Sequence, residues 1–356
     1  MRRGSLVALA LLLAAGCATA RRGAPSGAPS EAVAYPPSEL MVTPLDLELA
    51  GKNDEELFAI GTAALEAKDY RRAAAALGRV ADLHPGSRHE GAALLGAGLA
   101  LEGLEQWRPA LGRFRATEQR ASGRDAVEAA FRAAECDWHL GDLDAAHGTL
   151  DALARRDDLP AADRIRALAQ RGVVELAAGR PEDAERTLRA AVAAWQDAGA
   201  RERIDAEYAA QAQFYLGEVY RAGFEAIKLD LAADEARLAR DLEEKAERLL
   251  SAQGHYLRTI RMGVADWAVA AGARIGELYD TLHAEIVAAP LPPGLDEAHA
   301  AAYRTELRRR ARVLVTKAIE AYEETLAAAQ RTGVDGRIVD EAHASLERMK
   351  RMLEAD

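Results

Sequence analysis

Gly61-Thr62-Ala63-Ala64-Leu65-Glu66-Ala67-Lys68-Asp69-Tyr70-Arg71-Arg72-Ala73 sets a pattern that the chain goes on to repeat. An Ala-rich stretch with no Pro reads as helix, because its side chains lose little freedom there. Lys68-Asp69-Tyr70 is a short polar break, and a second helical stretch follows. Gly61 recurs as Gly98, Ala134 and Gly172, and Ala73 as Ala110, Ala146 and Ala184. The break recurs as Glu105-Gln106-Trp107, Gly141-Asp142-Leu143 and Gly179-Arg180-Pro181.

A two-helix unit with small residues at these places, recurring every 36 to 38 residues, resembles the tetratricopeptide repeat (TPR), whose own period is about 34 residues. The resemblance implies that paired small residues let two helices cross closely. It also implies that the units stack into a solenoid, a fold that presents surfaces and rarely carries catalysis. The expected fold is therefore all-α, a TPR-type solenoid of helical hairpins.

Composition agrees with helix: 49% of residues are hydrophobic, much of that alanine, and aromatics are 5%. No zinc-binding His-Glu-x-x-His, phosphate loop, Gly-x-Ser-x-Gly elbow or calcium loop occurs. Cys136 and His139 are three residues apart, but two ligands make a poor metal site. We expect no cofactor, no metal and no catalysis. A formal charge of −11 argues against nucleic acid as a partner.

Arg2-Arg3, the apolar run Leu6 to Ala15 and Leu13-Ala14-Ala15-Gly16-Cys17 together resemble the signal segment and lipobox of bacterial lipoproteins. The resemblance implies cleavage before Cys17, lipid on Cys17 and, with Ala18 next to it, a place at the periplasmic face of the outer membrane. Losing residues 1–16 moves the formal charge from −11 to −13. Residues 17–50, rich in Ala, Pro, Ser and Gly, read as a tether. Within it, Leu40-Met41-Val42-Thr43-Pro44-Leu45 is apolar enough to dock on the solenoid in extended form.

Residues 51–200 hold four regular repeats. Leu216-Gly217-Glu218-Val219-Tyr220 and Ile275-Gly276-Glu277-Leu278-Tyr279 open two more units in residues 201–332. Their second helices are marked by Ala252, Tyr256 and Thr259, and by Ala318, Tyr322 and Thr325. Both hairpins are enlarged, with connections at Phe224–Leu229 and Pro290–Gly294. Residues 333–356 read as a capping helix, because the last unit must cover an apolar face.

In TPR units, positions 2, 5, 9 and 12 of the first helix line a concave groove. Here those positions include Phe58, Leu65, Leu95, Leu99, Phe131, Trp138, Val173, Leu176 and Phe214. Three readings of this apolar strip stay open: packing between repeats, a groove for an apolar segment of a partner, or occupation by the chain's own Leu40–Leu45. In the enlarged pair the same positions are polar: Glu218, Arg221, Glu277 and Asp280. Arg304, Arg308 and Arg312 form a basic stripe, read either as a solvated face paired with Glu306 or as a contact for lipid phosphates or an acidic partner.

The function expected is a scaffold or adaptor that binds envelope proteins, held to the membrane by its N-terminal lipid. The alternative is a module for peptidoglycan or another glycan, for which Trp195, Trp267 and Tyr303 are the candidate aromatics. Oligomeric state stays open at this stage.

Overall fold

The computed structural model describes residues 43–199, 203–230, 233–291 and 294–355. Fourteen helices follow one another among them, and no strand occurs. Cys17, Leu40, Met41 and Val42 lie outside the described residues. The described residues divide into two units, one ending at Lys52 and one beginning at Asn53.

The first unit contributes α1, Pro44–Leu49. The extended form expected of Thr43-Pro44-Leu45 is corrected here. Thr43 caps the helix, accepting from the Asp46 N–H while Asp46 reaches back to the Thr43 N–H, and Pro44 occupies the first turn. A proline at that position loses no needed donor and presets φ, so it starts the helix instead of breaking the chain. The tether read into residues 17–50 thus ends in a helix.

The second unit is a series of hairpins: α2 (Asp54–Glu66) with α3 (Tyr70–Leu83), α4 (Glu90–Gly103) with α5 (Trp107–Arg120), α6 (Arg124–His139) with α7 (Leu143–Ala154), and α8 (Ala161–Ala177) with α9 (Pro181–Gly199). Two larger hairpins follow, α10 (Glu207–Ala226) with α11 (Glu235–Arg261), and α12 (Ala265–Ala288) with α13 (Glu297–Thr332). Helix α14 (Arg337–Ala355) closes the series, with Ala342, Leu346 and Met349 buried. Asn53, Asp69, Asp142, Asp234 and Asp296 each accept a backbone N–H at a helix start, satisfying donors that have no partner inside the helix.

One device builds each hairpin. A Cβ added at Gly98 would sit 2.5 Å from the Phe114 ring; at Gly61 and Gly172 it would meet Leu77 and Leu188 at the same distance. The glycine is a notch, and a large side chain of the second helix fills it. In the enlarged hairpins Tyr256 fills the notch at Gly217 and Tyr322 the one at Gly276. The glycine notch therefore recurs in five of the six hairpins, whatever the length of the second helix, and in the third Ala134 packs in one cluster with Leu150.

The core passes from hairpin to hairpin. At the start it combines Leu57, Leu77, Val80 and Leu94 with Ala64, Ala73 and Ala100. At the far end one cluster runs from Ala210 to Met349 and takes in Phe214, Tyr256, Trp267, Ile275 and Tyr322. Phe224–Ala226, expected in a connection, form the last turn of α10. Lys245 holds that turn: its buried ammonium donates to the carbonyls of Phe224 (2.7 Å) and Ile227 (2.8 Å) and pairs with Glu285 at 2.6 Å. A cation at carbonyls left open by a helix end is favourable twice, by hydrogen bonding and by the helix dipole.

Candidate functional site: the inner face of the first helices

Helix α6 shows how the faces are assigned. Ala129, Ala133 and Cys136 pack towards the preceding hairpin with Ala110 and Phe114. Val127, Phe131 and Ala134 pack towards α7 and α8, with Leu150 and Val174. Asp137 is buried towards the second helices, where Arg115 of α5 donates to it at 2.8 Å. The fourth face remains, and it carries Glu128, Arg132 and Glu135. This is the inner face of the solenoid, and it is charged.

These charges connect successive hairpins. Arg132 donates to Glu102 of α4 at 2.7 Å and to Glu128 of its own helix at 2.7 Å. Arg166 of α8 donates to Glu128 at 2.6 Å. Its guanidinium lies over the Phe131 ring at 4.0 Å and faces Tyr208 of α10 at 5.4 Å. The result is a ladder, Glu102–Arg132–Glu128–Arg166, crossing α4, α6 and α8.

The ladder has more acid than base. Glu135 reaches Arg132 only at 3.7 Å, and Glu102 Oε2 and Arg166 Nε are buried without a hydrogen bond. Burial pushes the Glu102 carboxyl up to about 7, helped by Glu135 and Glu128 and against the pull of Arg132. For Glu128, burial works upward too, but Arg166 and Arg132 outweigh it and hold the carboxyl at about 2. Two carboxylates of one cluster driven in opposite directions mark a place where charge is under tension.

A second polar knot joins α10 to α12. Tyr256 donates to Glu218 at 2.6 Å, Arg221 donates to it at 2.7 Å, and Arg274 of α12 lies 3.2 Å away. Arg274 also pairs with Glu277, and Asp280 with Arg348 of α14. The polar residues of the enlarged pair are thus linked to one another and to the cap.

The apolar strip has a different place. Phe131, Val173 and Phe214 are buried core residues. Trp138 packs beside Phe131, and Leu95 and Leu99 lie half-buried against Phe114 and Cys136. Leu65 packs with Ala64 and Ala100, and Leu176 with Ala169 and Leu188. Phe58 stacks on His89, with ring centroids 4.3 Å apart. At all nine positions the side chain is at least half-buried. Sequence reading missed Glu102, Glu128, Arg132, Glu135 and Arg166, because the resemblance was followed to apolar positions.

The other singled-out residues stand apart. Arg304, Arg308 and Arg312 are exposed on α13. Arg312 donates to the Leu353 carbonyl at 3.2 Å, whereas Glu306 pairs with Arg309 and Arg310 instead of the stripe. Cys136 is buried, and burial pushes its thiol up to about 12. His139 stacks on Trp107 with centroids 3.6 Å apart. Trp267 is buried and donates to Glu207, Trp195 is half-buried, and Tyr303 is exposed on α13. These three aromatics form no common platform. Among the described residues no group of three or more His, Cys, Asp or Glu side chains is placed to hold a metal. An open cleft of about 600 Å³ beside α3 and α5 has its charges occupied, Arg113 by Asp82 and Arg120 by Glu90.

No protein-family model and no curated protein sequence matches the chain. Among solved structures it is similar to the apo form of RapI, at 9% identity and a TM-score of 0.48 over 85% of this chain and 99% of that one. It is similar to a tetratricopeptide repeat protein from Parabacteroides merdae, at 12% identity and a TM-score of 0.40 over 83% and 98%. A Rap protein complexed with competence and sporulation factor matches at 13% identity and a TM-score of 0.41, over 85% and 76%. The described chain is an all-α solenoid of TPR-like helical hairpins.

Proposed function

We propose that the chain is a non-catalytic interaction scaffold, lipid-anchored through Cys17 at the periplasmic face of the outer membrane, serving as an adaptor in an envelope assembly. What supports the anchoring half of the reading is the sequence around Cys17. What supports the binding half is the inner-face ladder, a row of charged side chains on successive hairpins in which Glu135 reaches its nearest cation only at 3.7 Å. An acid-rich, half-buried row accepts a segment that brings basic or amide donors, since each new donor relieves a carboxylate already under desolvation. Phe131 supports this wall from behind, with the Arg166 guanidinium on its ring.

In-cell crosslinking with a tag after α14, followed by identification of what co-purifies, tests the reading. A small reproducible set of envelope proteins, lost with Glu102→Gln together with Glu135→Gln, is the expected result. Recovery of the same set from that double variant removes the ladder from the binding surface. Cell-wall fragments in place of proteins favour the glycan reading. Cys17→Ser tests the anchor independently, because a variant that still fractionates with the outer membrane removes the lipid from the account.

A further inference from the structure

Helix α11 buries Lys245, Leu249, Ala252, Tyr256 and Thr259 against the rest of the solenoid, and beside that face it carries a second apolar stripe. Leu242, Ala246, Leu250, Gln253, Leu257 and Ile260 follow one another at steps of four and three residues, so they share one side of the helix. Leu250 is 63% exposed, Leu242 41%, and Leu257 and Ile260 nearly as much. Single surface leucines need no explanation, but a row of them along a 27-residue helix does.

The flanking charges say what covers it. Asp241 and Glu244 are occupied within the helix by Arg237 and Arg248. Glu243 and Glu247 in the N-terminal half, and Arg258 and Arg261 in the C-terminal half, form no ion pair among the described residues. The helix is therefore acidic along one half of the stripe and basic along the other. An identical helix laid antiparallel meets acid with base at both ends, which is the self-complementarity a two-fold interface requires. The register that sets Glu243 against Arg261 brings Glu247 within one residue of facing Arg258 and sets Leu250 beside Gly254, over which the Arg258 guanidinium lies. In that register Arg240 falls beyond Arg261 and opposes no cation of the second copy's helix.

We propose that the occupant of this stripe is a second copy of the chain, bound through α11 against α11 in antiparallel register. Two inner faces would then be carried by one particle, and partners that are themselves paired would bind with raised effective concentration.

Sedimentation velocity on the full chain, from about 1 to about 100 μM, tests this. A dimer is expected. Leu250→Glu should leave a monomer with unchanged helicity, because the side chain is exposed. Glu243→Arg with Glu247→Arg should weaken the dimer by about tenfold or more, since each face now repels its counterpart. Adding Arg258→Glu and Arg261→Glu to that variant should restore the dimer, which no general loss of folding could do. A chain monomeric across the whole range overturns the proposal. So does a dimer indifferent to Leu250→Glu, or a four-residue swap no tighter than the two-residue one.

Discussion

Arg132 joins two hairpins: its Nη1 lies 2.7 Å from Glu102 of α4, and its Nε lies 2.7 Å from Glu128, the carboxylate that Arg166 of α8 also holds. Its side chain is only 17% exposed. Burying a guanidinium is costly, and here three carboxylates compensate for it. Removing the cation leaves those carboxylates facing one another in a partly dry place.

Arg132→Met should for that reason cost about 3 kcal/mol at neutral pH, the range found when one partner of a buried pair is deleted. The loss should shrink at acidic pH, where Glu102 is protonated and the repulsion falls. Urea unfolding at two pH values checks both statements. An equal loss at both would mean that packing, not charge, is what Arg132 contributes.

Glu102 itself gives the chain a pH-dependent stability. In the unfolded chain it titrates near the ordinary carboxylate value of 4.5, and in the folded chain at about 7. Its folded pKa is raised, so its contribution is fully present below about 4.5 and is lost as pH rises towards 7. Glu128, held down at about 2, acts in the opposite sense: its contribution is present above about 4.5 and is lost on acidification. Glu102→Gln should remove the first slope only, raising the melting temperature at pH 8 by a few degrees (about 3) relative to wild type. Melting curves from pH 4 to pH 8 would show an unchanged slope if Glu102 titrates normally.

Phe131→Ala should destabilise the chain by about 3–5 kcal/mol, because the ring is wholly buried and Arg166 rests on it. Trp138→Ala, at a half-buried position, should cost less. Loss of partner binding in the Phe131 variant would therefore need to be read at a temperature where the variant is still folded. Thermal denaturation of the two single variants is the measurement, and similar melting temperatures would contradict the burial difference.

Glu105→Gly should stabilise the chain by about 1 kcal/mol. The hairpin turn needs a left-handed residue, supplied by Gly141 (φ 81°) and Gly179 (φ 71°) in the third and fourth hairpins. Glu105 (φ 58°) and Lys68 (φ 60°) occupy the same place with a side chain, which costs about 1–2 kcal/mol per residue. Part of that gain is given back through the freer unfolded chain. Lys68→Gly, measured beside it by urea unfolding, should behave alike.

The hairpin register was legible because it is local. Gly61, Gly98 and Gly172 recur at a near-constant spacing, and each needs a large residue at one fixed place in the next helix. That rule still held at Gly217 and Gly276, although their tyrosines lie much further along the chain. The inner face was not legible. Arg132 meets Glu102 and Arg166 meets Glu128 across separations of 30 and 38 residues, and in a chain with 29% charged residues no such pair stands out. The groove positions read from the sequence are apolar residues such as Phe131 and Val173, and Arg166 and Glu128 are not among them.

The uneven core has a consequence during synthesis. Leu57, Leu77, Val80, Leu94 and Phe114 hold the first two hairpins together, while the larger cluster from Ala210 to Met349 joins the last two hairpins and α14. A ribosome therefore releases hairpins with small cores of their own first, and the largest cluster closes only when α14 emerges. For most of translation the chain exposes faces awaiting later neighbours, and a truncation before Met349 would leave Tyr322 and Ile319 uncovered. Quality control should thus read the C-terminus of this chain most strictly.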